Sequence, residues 1–294
     1  MKLTLRQRHA RAPRGWRRAR GSSSCRHGML AKHLLALALA VASIAGARAA
    51  DQPLQQKLLH AVIQNETAEV EALLKQGADP NALAAFDSAD AWVLQGVISD
   101  PTPPPLVVAA SFGCIDDSLA VRLLISAGAK VNVADSTGRT PLMAASQLGW
   151  DPSVQLLLEK GADVNAVDRA GRTPLMYAMG NRGAGVAAKL LTQGAKVNAQ
   201  DTAGQTALMI AIRMARHDPI RLYGSPDRPL EAWDRYVGLI QLLLDQGADP
   251  TLRDKDGHMA LDSLIEALRT PPPGAASTAD AVRALTVARS LLRP

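Results

Sequence analysis

Cysteine is nearly missing from this 294-residue chain: there are two, Cys25 and Cys114. With so few, neither a disulfide framework nor a zinc-type cluster nor a CxxC redox pair is available. Aromatic residues are sparse too, at 3%. Acidic residues are absent from the first 50 positions, which hold eleven of the 33 Lys and Arg. The remaining 244 residues therefore carry 22 basic against 27 acidic side chains, a net charge of −5. The overall +6 belongs to the leader, and the rest has no electrostatic case for nucleic acid.

Long apolar runs are lacking too. The main apolar run, LLALALAVASIAGA at 34–47, is uncharged but has only fourteen residues. At 1.5 Å per residue that is too short to cross roughly 30 Å of hydrocarbon as a helix. It matches the apolar part of a secretory signal, with basic residues before it and the small-x-small ARA at 47–49 after it. The expectation is an export signal over 1–49 cleaved after Ala49, with Ala47 and Ala50 as alternatives and Met29 as an alternative start. Arg17-Arg18 lacks the surroundings of a twin-arginine signal, and a mitochondrial presequence would be amphipathic, not end in a purely apolar block. The apolar run has no lipobox-type Cys at its end. The expected location is the periplasm, with secretion as the alternative.

Catalytic signatures are missing as well: no HExxH, GxSxG or phosphate-cradling Gly-rich loop occurs. His60, His217 and His258 are the only histidines after the leader, and His217-Asp218 is adjacent in sequence, which is not how a base and its orienter meet. The reading is a non-enzyme without cofactor or bound metal.

What is present is repetition. LLKQGADPN from Leu73, LLISAGAKVN from Leu123, LLEKGADVN from Leu157, LLTQGAKVN from Leu190 and LLLDQGADP from Leu242 share one pattern. Their glycines, Gly77, Gly128, Gly161, Gly194 and Gly247, are spaced by 51, 33, 33 and 53 residues. A period near 33 with two enlarged units marks a repeat solenoid. Gly161 stands where a helix C-terminus takes the left-handed conformation. DRAG at 168–171 places Asp first and Gly fourth in a turn, Thr173 is placed to N-cap the next helix, and Pro174 fills its first position.

DSTGRTPLM from Asp135, DRAGRTPLM from Asp168 and DTAGQTALM from Asp201, each near a G-A-x-x-N stretch, resemble the ankyrin repeat, and the resemblance is to its exported bacterial type. It implies an all-α repeat solenoid of about six helix pairs with β-turn fingers, over 50–294. The pairs are expected near 54–76, 105–127, 141–160, 174–193, 207–246 and 260–292, the last as a capping unit. Met143, Met176 and Met209 replace the family's frequent His and read as core filler. Met259 replaces the capping Thr, which predicts a looser last unit.

Variable positions carry whatever is specific to such a stack. Two insertions stand out, near 82–104 and 213–236. They hold Phe86, Trp92, Tyr223 and Trp233, aromatics that either contact a partner or pin the loop to the stack. The resemblance also implies a concave face of finger tips and first helices, with Ser136, Thr137, Arg139, Gln147, Arg169, Arg172, Gln205 and Arg213 on it. Arg139 and Arg172 fall in the same slot one unit apart and are expected to form a basic row. The implied function is a non-catalytic protein-binding scaffold in the bacterial envelope, expected as a monomer without stable membrane insertion once the signal is cleaved. The alternatives are an immunity-type inhibitor of a secreted toxin and a structural envelope component.

Overall fold

A computed structural model describes residues 53–85, 100–112, 118–149, 151–180, 183–217 and 229–262. Ten α-helices are found there, in five pairs: α1 (Leu54–Ile63) with α2 (Thr67–Lys75), α3 (Pro105–Ser111) with α4 (Leu119–Ser126), α5 (Pro141–Leu148) with α6 (Asp151–Glu159), α7 (Pro174–Tyr177) with α8 (Gly183–Thr192), and α9 (Ala207–His217) with α10 (Pro229–Asp245). The expected sixth pair begins at 260–262, and the rest of it lies outside the described residues, as do the leader and Cys114.

Local chemistry sets the helix ends. The Oγ1 atoms of Thr140, Thr173 and Thr206 accept hydrogen bonds from the backbone N–H of Met143, Met176 and Met209, at 3.4, 3.3 and 3.3 Å. Each satisfies one of the donors a helix start leaves open. At the other end, Gly161 takes φ +83° while its N–H donates to the Leu158 carbonyl and the Ala162 N–H to that of Leu157. This pair of bonds is the Schellman closure of α6. In the last unit Met259 cannot cap by its side chain, and its backbone N–H instead donates to Asp262 Oδ2 at 2.7 Å. The finger before it keeps the same turn as its neighbours.

The first helices stack as one row, α1 on α3, α3 on α5, α5 on α7 and α7 on α9. One continuous cluster of buried side chains runs through the stack from Leu58 to Ala260. Met143, Met176 and Met209 are all buried, the last two within that cluster, as the core-filler reading requires. Helix α7 is only four residues long, because beyond Tyr177 the bonds tighten to i→i+3 at Met179 and Gly180. The second insertion is more helical than its sequence suggests: positions 213–217 close α9 and 229–236 open α10. No described helix is long and apolar enough to cross a membrane.

Candidate binding surface

Each finger is built around an aspartate. Asp168 Oδ1 accepts from the N–H of Ala170 at 2.9 Å and of Arg172 at 2.8 Å. Asp135, Asp201 and Asp254 do the same for residues two and four positions on. The side chain thus imitates a backbone turn and holds the tip in one conformation. Fingers then bond to one another: the N–H of Arg169, Thr202 and Lys255 donates to the carbonyl of Thr137, Ala170 and Ala203, at 2.9, 2.8 and 2.9 Å.

A second series of bonds joins the units at the base of the fingers. Asn165 Nδ2 donates to the Gly194 carbonyl at 3.0 Å, and its Oδ1 accepts from the Lys196 N–H at 2.8 Å. Asn81, Asn132 and Asn198 make the equivalent pair of bonds to their following units. The sequence had put these asparagines in its motif without a role. Their recurrence at the end of each G-A-x-x-N stretch was the available signal.

The finger at 135–139 makes no such bond to a preceding carbonyl among the described residues. Instead the Ser136 N–H donates to Asp100 Oδ2, and Asp100 Oδ1 takes the N–H of Thr102 at 2.9 Å. Asp100 is buried, which on its own raises a carboxyl pKa. The bonds from Ser136 and Thr102 outweigh that and leave it below the usual value.

The predicted polar residues gather around these fingers in three tiers. Arg172 directs both Nε and Nη2 to Asp168 Oδ2 at 2.9 Å, and its guanidinium carbon lies 4.8 Å from the centre of the Tyr177 ring. The Tyr177 hydroxyl donates to the same Oδ2 at 2.7 Å. Burial, then this bond, pushes the Tyr177 hydroxyl pKa up to about 12. Arg139, from the preceding unit, approaches the same ring at 5.8 Å and donates from Nη2 to Gln147 Oε1 at 2.7 Å. In the next unit the pair is reversed, with Arg213 Nη1 donating to Gln205 Oε1 at 2.7 Å.

Two expectations need correcting. Arg139 is only 7% exposed, so it is not part of an open basic surface, because Tyr177 of the next unit sits beside it. Burial lowers its pKa, yet an arginine stays charged. The basic row of Arg139 and Arg172 is accordingly joined through an aromatic ring. Tyr177 was missed from sequence, although it replaces Ala144 and Ile210 of the neighbouring units in the same slot. Arg169, Arg172, Gln147 and Arg213 are exposed and Gln205 is half-buried. Ser136, Thr137, Asp168, Arg169, Ala170 and Arg172 line an open depression of about 380 Å³.

Of the insertion aromatics, Phe86, Trp92 and Tyr223 lie outside the described residues, and Trp233 falls within α10. Tyr236, at the edge of the second insertion, is buried in the stack. Asp254, Asp256 and His258 bring three possible ligand atoms within 4.8 Å of one another on the last finger. Of these, the Asp254 carboxylate is already turned to the finger's own bonds, its Oδ1 accepting from the backbone N–H of Asp256 at 3.0 Å and of His258 at 2.8 Å.

Paired helices, capped and stacked, with projecting turns locked to each other, define an α-helical repeat solenoid that presents a rigid surface. The family model for ankyrin repeats matches the chain three times, over residues 58–168, 106–201 and 154–222, together more than half of it. The chain belongs to the ankyrin-repeat family, whose members are typically non-catalytic scaffolds for protein–protein interaction. A search of curated proteins finds no match.

Proposed function

We propose that this protein is an exported scaffold of the bacterial envelope, working in the periplasm, that holds another protein on the face made by its fingers and first helices. The observation that carries the reading is that the finger surface is ordered before any partner arrives. Aspartates close each turn, backbone bonds join successive fingers, and asparagines tie the finger bases together. A surface already fixed loses little entropy on association, so modest contacts yield useful affinity. Export rests on the leader, with its basic start, apolar run and small-x-small end.

The test is affinity purification of the tagged full chain from the envelope fraction of its own cells, with mass spectrometry and N-terminal sequencing of the bait. One dominant protein partner and a mature N-terminus at Ala50 are expected. A bait carrying Trp92→Ala and Trp233→Ala reports whether the insertions take part. Well-folded bait that enriches no partner sinks the scaffold reading, and a bait retained in the cytosol with its leader intact sinks the export reading.

A further inference from the structure

We propose that the depression between the fingers at 135–139 and 168–172 recognises carboxylate side chains in an acidic segment of the partner protein, with Arg169 and Arg172 as its anchors. This rests on the scaffold reading above and specifies the chemistry of the partner.

The donors and acceptors of the depression are unevenly spent. Asp168 is the acid in its wall, and it is buried. Its Oδ1 takes two backbone N–H groups, and its Oδ2 takes the Arg172 Nε and Nη2 and the Tyr177 hydroxyl. A carboxylate offers about four lone-pair sites, so this one is saturated and has no acceptor left for a ligand. Asp135 is likewise turned into its own finger, accepting from the Thr137 N–H and hydroxyl and from the Arg139 N–H. The acids of both fingers therefore face inward.

The cations face outward. Arg172 uses Nε and one side of Nη2 on Asp168, so the edge formed by Nη1 and the outer side of Nη2 keeps a parallel pair of donors with no partner among the described residues. That fork matches a carboxylate in two-point geometry. The guanidinium is also held in place by Asp168 and by the Tyr177 ring, which reduces the side-chain entropy lost on binding. Arg169 is exposed beside it, fixed through its backbone N–H to Thr137, and its side chain makes no bond to another described residue.

An extended protein segment fits better than a small anion. The depression is wide for a single carboxylate, and Gln147, Gln205 and Arg213 continue the same tiers to either side with groups able to bond a peptide backbone.

The test uses the full chain and a fluorescein-labelled ten-residue Glu-rich peptide, with the same peptide bearing Gln as its control, read by fluorescence anisotropy at low and high salt. The Glu peptide is expected to bind more tightly than the Gln peptide, more weakly as salt rises. Arg169→Gln and Arg172→Gln should each weaken it about tenfold. Lys189→Gln, which removes an ion pair with Asp151 on the second helices, should leave it unchanged. Arg172→Gln also breaks the contact with Asp168, so Arg169→Gln, monitored by a circular-dichroism melt, is the variant that decides. Equal affinity for both peptides, or wild-type affinity in Arg169→Gln, overturns the proposal. Full displacement by low-millimolar inorganic phosphate overturns it in favour of a phosphate site. In the envelope purification, a partner kept by an Arg169→Gln, Arg172→Gln bait overturns acidic recognition and leaves the scaffold reading intact. No partner from the wild-type bait overturns the scaffold reading itself, whatever the peptide does.

Discussion

A methyl group placed on Gly138 would lie 2.9 Å from the backbone nitrogen of Arg169, closer than side-chain carbons sit, and the residue's φ is +84°. Gly161 shares the left-handed conformation, at φ +83°, but has no described neighbour within 4 Å of that point. The two positions separate strain from collision. Gly161→Ala should cost about 1 kcal/mol, the conformational penalty alone. Gly138→Ala should cost about 2–3 kcal/mol, since the next finger must also move away. Urea denaturation of the two variants checks this, and equal midpoints would mean that the fingers do not approach as closely as described. From sequence, both glycines were readable as turn or cap residues. The collision was not, because it involves a backbone one unit away.

Elements end where local bonds are available, and the end of the first insertion is the case that sequence could not supply. Asp100 takes the place of a finger carbonyl by accepting the Ser136 N–H with its carboxylate. Burial opposes its charge, but the Ser136 and Thr102 bonds prevail and its folded pKa lies below the ordinary value of 3.8. A depressed carboxyl stabilises the fold above its unfolded pKa, and that contribution is lost as pH falls through the folded value. Asp100→Asn should therefore be less stable than wild type at pH 7, and the two urea midpoints should converge below about pH 4. Parallel midpoints from pH 7 to pH 3 would show that the carboxylate charge does not hold this junction. Helix starts were legible by contrast. Thr173 followed by Pro174 announces a cap, and the cap is there.

At the scale of the whole molecule, stability is a sum of units and the interfaces between them. The asparagine bonds are a large polar part of those interfaces. Asn165→Ala removes a donor and an acceptor that join the unit of α5 and α6 to that of α7 and α8. The expected loss is about 1–2 kcal/mol, with a broader denaturant transition as the halves of the stack uncouple. Circular dichroism against urea measures both, and an unchanged slope would show that the hydrophobic stacking alone carries the coupling. A period of 33 was enough to announce a stack. Five pairs are described, one before each of the five repeat glycines, and a further helix begins at 260.

What the sequence determined by itself is everything that depends on near neighbours in the chain. The left-handed glycine closing a helix, the threonine and proline opening one, the Asp-x-x-Gly turn and the buried methionines follow from bonds and packing that recur with each unit. Tertiary structure decided what each variable side chain meets across a unit boundary. Arg139 reads as a surface residue in the sequence, but it is buried beside Tyr177 of the next unit. Asp168 reads as a turn former, yet it also holds Arg172 and Tyr177. Stacking brings residues about 33 apart into contact, and a side chain's exposure there depends on which residue its neighbour places in the adjoining slot.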